Sequence, residues 1–253
     1  MNPLDAFRLD QKVVVLTGAS SGLGTGFAHA LAAVGARLVL AARRHERLTA
    51  LAAELQAGGA KVVVQRTDVS NPADCTALAR RAVEEFGTID VLVNNAGVGS
   101  AVPSSRETPA GFDGLISVNL SGAFLMAQAC APHMRPGSSI VNIASVLAHV
   151  APRFPQAAYV ASKAGLVGLT RALAQEWSGR KGIRVNALCP GYFHSELTLA
   201  GGDALRENAE RESILGRFGE QEELDGALLF LASPASSYVT GTSLVVDGGL
   251  SAW

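Results

Sequence analysis

Lys12-Val13-Val14-Val15-Leu16-Thr17-Gly18-Ala19-Ser20-Ser21-Gly22-Leu23-Gly24 decides the fold class. Its first half is a short uninterrupted apolar run, the pattern of a strand buried on both faces of a parallel sheet. Its second half is a glycine-rich turn, after which Phe27, Ala30, Leu31 and Val34 recur at helical spacing. Strand, glycine turn and helix in that order aim backbone N–H groups and a helix N-terminus at a pyrophosphate. The spacing is G-x-x-x-G-x-G rather than the commoner G-x-G-x-x-G, and a glycine turn taken alone also suits a purely structural bend.

Outward from this stretch, further strand-like runs fall at 38–42, 62–64, 89–94, 139–144, 184–189 and 243–247. Helical patterns fill the gaps, with Pro72, Pro109 and Pro136-Gly137 punctuating their ends. Such alternation predicts an α/β fold, a doubly wound and mainly parallel sheet with right-handed crossovers. No linker or internal repeat interrupts it, so residues 1–253 are expected to form one domain. The stretch from about 194 to 217 departs from the pattern, being charged, amphipathic and glycine-containing.

Composition narrows the partners. Lys and Arg total 21 against 22 Asp and Glu, a formal net charge of −1, so neither nucleic acid nor an acidic membrane surface is expected. Cys75, Cys130 and Cys189 are isolated and lack metal or redox spacing; they read as buried small residues in a reducing compartment. The histidines His29, His45, His133, His149 and His194 form no ligand cluster, so no catalytic metal is expected. The N-terminal residues lack a signal-peptide pattern, and no uninterrupted apolar run approaches the roughly 18 residues of a membrane span. A cytoplasmic location follows as the expectation.

Tyr159 and Lys163 lie four residues apart, so a helix would place both on one face, one turn from each other. A free phenol has a pKa of roughly 10, and a neighbouring ammonium is expected to lower it toward the working range. Ser145, arriving from a strand end, can hydrogen-bond the same substrate oxygen. The three side chains suit proton transfer in an alcohol/carbonyl pair.

Thr17-Gly18-x-x-x-Gly22-x-Gly24, Asn94-Asn95-Ala96-Gly97, Asn119, Ser145, Tyr159-x-x-x-Lys163 and Pro190-Gly191 stand in the order and spacing of the short-chain dehydrogenase/reductase family, which the chain resembles from about Leu9 to its end. The resemblance implies a Rossmann-type sheet of seven strands in the order 3-2-1-4-5-6-7. It also implies a nicotinamide cofactor, hydride transfer at a carbinol carbon, and a mobile lid over the substrate at about 194–217. By the same resemblance the catalytic residues are Asn119, Ser145, Tyr159 and Lys163. Tyr159 serves as proton donor, Lys163 also bonds the nicotinamide ribose, and Asn119 holds a water linking Lys163 to solvent. Cofactor contacts are implied at Gly18, Ser20, Ser21, Gly22, Leu23, Gly24, Asp68, Val69, Asn95, Ala96, Gly97, Tyr159, Lys163, Pro190, Gly191, Phe193 and Ser195. Of these, Asp68 reads equally well as a turn residue before Pro72, and Asn94 reads as a tie between strands.

Cofactor choice is legible at the end of the second strand, where a carboxylate favours NAD and a cation accommodates the 2′-phosphate of NADP. Ala42 occupies the acidic position and Arg43-Arg44 follow it. Cations are disfavoured near a helix N-terminus unless an anion is bound there. Arg43 therefore points to NADP(H), with NAD(H) possible.

Val98, Leu147, His149, Phe154, Tyr192, Phe193 and Leu197 are expected to face a mostly apolar pocket, with His149 or Arg153 able to meet a hydroxyl or carboxylate. The expected partner is a small carbonyl or alcohol, and the expected activity is NADPH-dependent ketone reduction. The segment after Pro190-Gly191 resembles that of sugar-acid dehydrogenases such as gluconate 5-dehydrogenase, so an NAD(H)-linked alcohol or sugar-acid dehydrogenase is the alternative. A non-catalytic dinucleotide sensor ranks behind both, because Tyr159 and Lys163 are retained. The resemblance further implies a homotetramer, with the helices carrying Met126, Leu166, Leu169 and Leu173 at one interface and the final strand with Trp253 at another; Ala127, Ala129, Ala161, Ala164 and Gly168 would permit close helix contact, though core packing selects similar residues.

Overall fold

The computed structural model describes residues 2–194, residue 198 and residues 202–252, the side chains of 203–205 and 208 excepted. Among these residues seven strands form one wholly parallel sheet: β1 (Val13–Thr17), β2 (Arg37–Ala42), β3 (Lys61–Arg66), β4 (Ile89–Asn94), β5 (Met134–Ile143), β6 (Arg184–Pro190) and β7 (Ser243–Val246). The order is β3-β2-β1-β4-β5-β6-β7, as the resemblance implied. Chain direction across the sheet reverses at β1 and β4, which opens a crevice beyond their carboxyl ends.

The helices are α1 (Leu23–Ala33), α2 (His45–Ala57), α3 (Pro72–Phe86), α4 (Pro109–Ile116), α5 (Gly122–Cys130), α6 (Ala157–Lys181), α7 (Gly202–Glu212) and α8 (Gln221–Ala232). Side chains alternate across a strand, so β1 feeds two cores. Val14 and Leu16 pack with Phe27 of α1, Leu48 of α2 and Leu224 of α8, whereas Val13 and Val15 pack with Leu78 of α3, Met126 of α5 and Trp177 of α6. Every residue of β1 is buried, which is why the strand reads as continuously apolar.

Local chemistry sets several element ends. Asn71 caps α3 by accepting from the Ala73 N–H (2.9 Å), and Thr108 caps α4 by accepting from the Gly111 N–H (3.0 Å); each is followed by proline. Pro136-Gly137 does not end a helix, contrary to expectation: both lie inside β5, whose pairing with β4 jumps register between Ile89 and Val91. The irregular pairing accommodates a residue with no N–H to give.

The helical stretch Pro109–His133 passes a length-and-composition test for crossing a membrane, with mean hydropathy 1.4, although no such segment was expected. Its apolar composition has a different origin. The stretch packs against α3, α6 and β4, and a π-helical stretch at its centre (Ser117–Ser121) carries Asn119.

Candidate active site

The expected motifs gather at one edge of the sheet, beyond the carboxyl ends of the strands, with Tyr159 and Lys163 reaching it from α6. After β1 the chain turns through Gly18 (φ +67°) and Gly22 (φ +54°) into α1. A Cβ on Gly18 would approach Ala96 Cα to 2.7 Å, and one on Gly24 would press into the Gly18 carbonyl. Thr17 Oγ1 accepts from the N–H groups of both Asn95 and Ala96 (each 3.0 Å), and Asn95 Nδ2 donates to the carbonyls of Thr17 (3.1 Å) and Gly18 (3.2 Å). The two turns are therefore one unit. Gly22, at the N-cap of α1, has no side chain to satisfy the first-turn N–H groups.

At the end of β2, Arg43 is exposed, and Arg44 turns back over the glycine turn. Its Nε donates to Ser20 Oγ (3.3 Å), and a terminal nitrogen donates to Ser21 Oγ. Sequence reasoning drew the anion from the pair Arg43-Arg44 and named Arg43 as the contact; the bonds from Arg44 to two serines some 23 residues away had no local signature. Asp68 Oδ1 accepts from the N–H (3.0 Å) and hydroxyl (2.7 Å) of Ser70, bonds that hold its carboxyl below the ordinary range. That is the turn role weighed for it. Val69 is buried against Gly122 of α5.

Lys163 is buried, and its ammonium donates to the Ile143 carbonyl at the end of β5 (2.8 Å). Asn119 is spent on its neighbours: Oδ1 accepts from the Val98 N–H (2.8 Å), while Nδ2 donates to the Val98 carbonyl (2.9 Å) and to Ser162 Oγ (3.0 Å). Only the second lone pair of Oδ1 is left for a water. A Cβ on Gly97 would lie 3.5 Å from both Lys163 Nζ and Asn119 Oδ1, so the three groups meet at the crevice. Ser145 Oγ accepts from the Leu147 N–H (3.1 Å) and caps the short turn Val146–Ala148. The ionisation of the pair differs from the simple expectation. Burial raises the Tyr159 pKa, with the Ser145 hydroxyl opposing it, and burial lowers that of Lys163 to about 8. Desolvation is the first cause of both shifts.

A sequence-family profile described as enoyl-(acyl carrier protein) reductase matches residues 18–251. D-threitol dehydrogenase of Mycolicibacterium smegmatis is 42% identical over 248 residues, covering 96% of this chain and 94% of that one. Galactitol 2-dehydrogenase (L-tagatose-forming) of Cereibacter sphaeroides is 42% identical over 257 residues, with 98% of each chain covered. The chain is a short-chain dehydrogenase/reductase. Among solved structures, a gluconate 5-dehydrogenase from Burkholderia cenocepacia in complex with NADP and tartrate superposes with a TM-score of 0.92, at 37% identity and 99% coverage of both chains.

Short-chain dehydrogenase/reductases bind a nicotinamide dinucleotide, and the residues here fit one. Gly18 and Gly24 tolerate no Cβ, the α1 terminus lacks a side-chain cap, and exposed Gly97 adjoins Lys163. At the end of β6, Gly191 brings its backbone so close to Asp247 that a Cβ would lie 2.6 Å from Asp247 Cα, and its N–H donates to the Val246 carbonyl (2.8 Å). Pro190 is buried beside it.

The substrate wall is partly as expected. Leu147 and Tyr192 pack in one cluster with Tyr159, while Val98 and Phe154 are half-buried. His149 is exposed, with Nε2 3.7 Å from Cys189 Sγ. Phe193 is buried, with its ring packed on Gly219, and with Tyr192 it lines a small cavity. Ser195, Leu197 and Trp253 lie outside the described residues. On either side of the 194–217 segment, Gly219 N–H donates to the Tyr192 carbonyl (2.9 Å) and Phe193 pairs with Gly219. All three cysteines are buried, and burial pushes the Cys75 and Cys189 thiols up to about 11.

On the helices expected at an interface, Met126, Leu166 and Leu173 are buried within the subunit. Of the small residues expected to permit close helix contact, Ala161 and Ala164 are exposed and Gly168 is half-buried on α6, and Phe124 on α5 is also exposed.

Proposed function

We propose that this short-chain dehydrogenase/reductase is an NADP(H)-dependent enzyme reducing a ketone to a secondary alcohol, with Tyr159 as the proton donor. The observation that carries the reading is the convergence of Ser145, Tyr159 and Lys163 beside Gly97 in the crevice. Ser145 orients the substrate oxygen through its hydroxyl. Tyr159, its pKa raised by burial, holds its proton at neutral pH and can deliver it as negative charge develops on that oxygen. Lys163, with a pKa near 8, stays mainly protonated at neutrality and can restore the phenol's proton. Asn119 keeps Val98 and Ser162 in place, so the loop after β4 is fixed against α6. When bound, the nicotinamide supplies the hydride in reduction and accepts it in oxidation. Arg43 and Arg44 support the 2′-phosphate assignment, with no carboxylate at Ala42 to receive the hydroxyls of NAD.

The second reading is an NAD(H)-linked alcohol or sugar-acid dehydrogenase, favoured by relatives that are dehydrogenases of D-threitol and galactitol. As part of the first reading, the enzyme is a single-domain, cytoplasmic homotetramer, with 194–217 as the substrate lid. Replacing Tyr159 by Phe should cut ketone-dependent NADPH oxidation by about 10²–10⁴-fold. Calorimetric NADPH affinity should stay within a few-fold. Full turnover in that variant would refute the mechanism.

A further inference from the structure

Asp247 follows the last residue of β7 and closes the chain's final turn on itself. Its Oδ1 accepts from the Gly249 N–H (2.9 Å) and its Oδ2 from the Ser251 N–H (2.8 Å), so each carboxylate oxygen holds one backbone donor. Gly248 and Gly249, with φ of +63° and +86°, take the left-handed geometry that this turn requires. Those bonds are local, and an aspartate closing a turn is by itself only a strand terminator. What the turn then holds is not local. The Gly248 carbonyl accepts from Ser213 Oγ and from the Leu215 N–H (each 3.0 Å), which fixes the chain just past α7. Ser213 is buried, and a Cβ on Gly249 would approach Ile214 Cδ1 to 2.8 Å, so the two segments lie in contact. Leu250, on the same turn, is also buried. It shares one apolar cluster with Val146 and Leu147, on which Tyr159 and Tyr192 pack.

Building on the proposed oxidoreductase activity, we infer that Asp247 is a positioning residue for substrate binding: the turn it closes seats Leu250 against the substrate wall and ties residues 213–215 to the same turn. Leu147 and Tyr192 reach that wall from separate elements, the turn after β5 and the loop after β6, and Leu250 reaches their cluster from a third. Without the two bonds to Asp247 the turn loses its closure, and an unseated Leu250 leaves a void into which its neighbours relax. The reacting groups are held by other elements. The Ile143 carbonyl holds Lys163, the Leu147 N–H holds Ser145, and α6 carries Tyr159. Gly191 meets Asp247 at its Cα, Cβ and carbonyl, all of which alanine retains. Loss of the carboxylate therefore falls on substrate affinity rather than on the hydride step or on cofactor affinity.

The test uses the full-length enzyme with its preferred nicotinamide cofactor at saturation. The substrate is the one turned over best from a panel of tetritols, hexitols, aldonates, their keto forms and plain cyclic ketones. Asp247→Ala removes two charge-assisted bonds and should raise KM roughly tenfold or more, with kcat and the calorimetric cofactor Kd within about threefold of wild type. Leu250→Ala should raise KM in the same direction. The double variant should exceed the larger single effect by less than about threefold, because both changes act through one turn. A strand terminator with no part in the site would lower Tm and leave KM alone. That result, a loss confined to kcat or to cofactor affinity, or multiplicative effects of the two variants would each overturn the assignment. Should Asp247→Ala fail to fold, Ser213→Ala decides, since it takes only one hydroxyl from the Gly248 carbonyl. It should raise KM by about threefold or more with kcat unchanged, and an unchanged KM overturns the assignment. Turnover with a KM indifferent to these variants overturns this inference alone. No turnover of any carbonyl or alcohol overturns the oxidoreductase reading and this one with it.

Discussion

Lys163 Nζ lies 5.7 Å from the centre of the Tyr159 ring and gives its hydrogen bond to the Ile143 carbonyl rather than to the phenol. The two side chains share a helix face, but the terminus of β5 holds the ammonium. Burial depresses the Lys163 pKa, so its own protonation becomes sensitive to pH near 8.

That sensitivity has a sign. The folded pKa of Lys163 is depressed from 10.5 to about 8, so between these values the unfolded chain holds a proton that the folded protein has released. Stability from this group thus rises with pH across that interval, and the penalty is complete below pH 8. At 1.36 kcal/mol for each pKa unit, it amounts to about 3 kcal/mol. Lys163→Met should abolish the rise, read by denaturant unfolding at pH 7.5 and pH 10. The raised Tyr159 pKa acts oppositely above pH 10, so the comparison stops there. Parallel profiles for the two proteins would contradict the buried-ammonium account.

Arg43→Ala and Arg44→Ala should each weaken NADPH far more than NADH. Loss of one charge-assisted hydrogen bond corresponds to roughly 10–100-fold in affinity. Titration with 2′,5′-ADP against ADP isolates the phosphate. Because Arg44 already bonds Ser20 and Ser21, its loss should also make NADPH binding sensitive to replacing those serines by Ala. Equal losses for the two cofactors would point instead to a structural role for both arginines.

Gly24→Ala tests the cradle. The new Cβ would collide with the Gly18 carbonyl and the Asn95 amide, and no flexible side chain can yield at the first contact. Overpacking of this kind costs about 1–3 kcal/mol. The expected result is a lower Tm together with cofactor affinity reduced by tenfold or more, by calorimetry. Gly179→Ala, where a Cβ has no neighbour within 4 Å, serves as the control.

Phe124→Glu addresses assembly. Phe124 is 39% exposed on α5. A buried charge there should split the assembly to a smaller species by sedimentation, while Met126→Ala should instead lower subunit stability by about 2–5 kcal/mol. Unchanged sedimentation of Phe124→Glu would place the interface elsewhere.

Residue order by itself determined the α/β class, the strand–glycine turn–helix at Thr17–Gly24, and the shared face of Tyr159 and Lys163. These depend on periodicities of two and 3.6 residues and on glycine at turns, all of which act over a few neighbours. Family resemblance supplied the strand order that the fold then displayed. Tertiary structure alone decided which arginine meets Ser20 and Ser21, that Phe193 and Met126 turn inward, and that Arg153 reaches Glu212 across 59 residues of chain. It also decided that burial raises the Tyr159 pKa. Desolvation and long-range ion pairs depend on which elements pack together, and no local window of sequence carries that information.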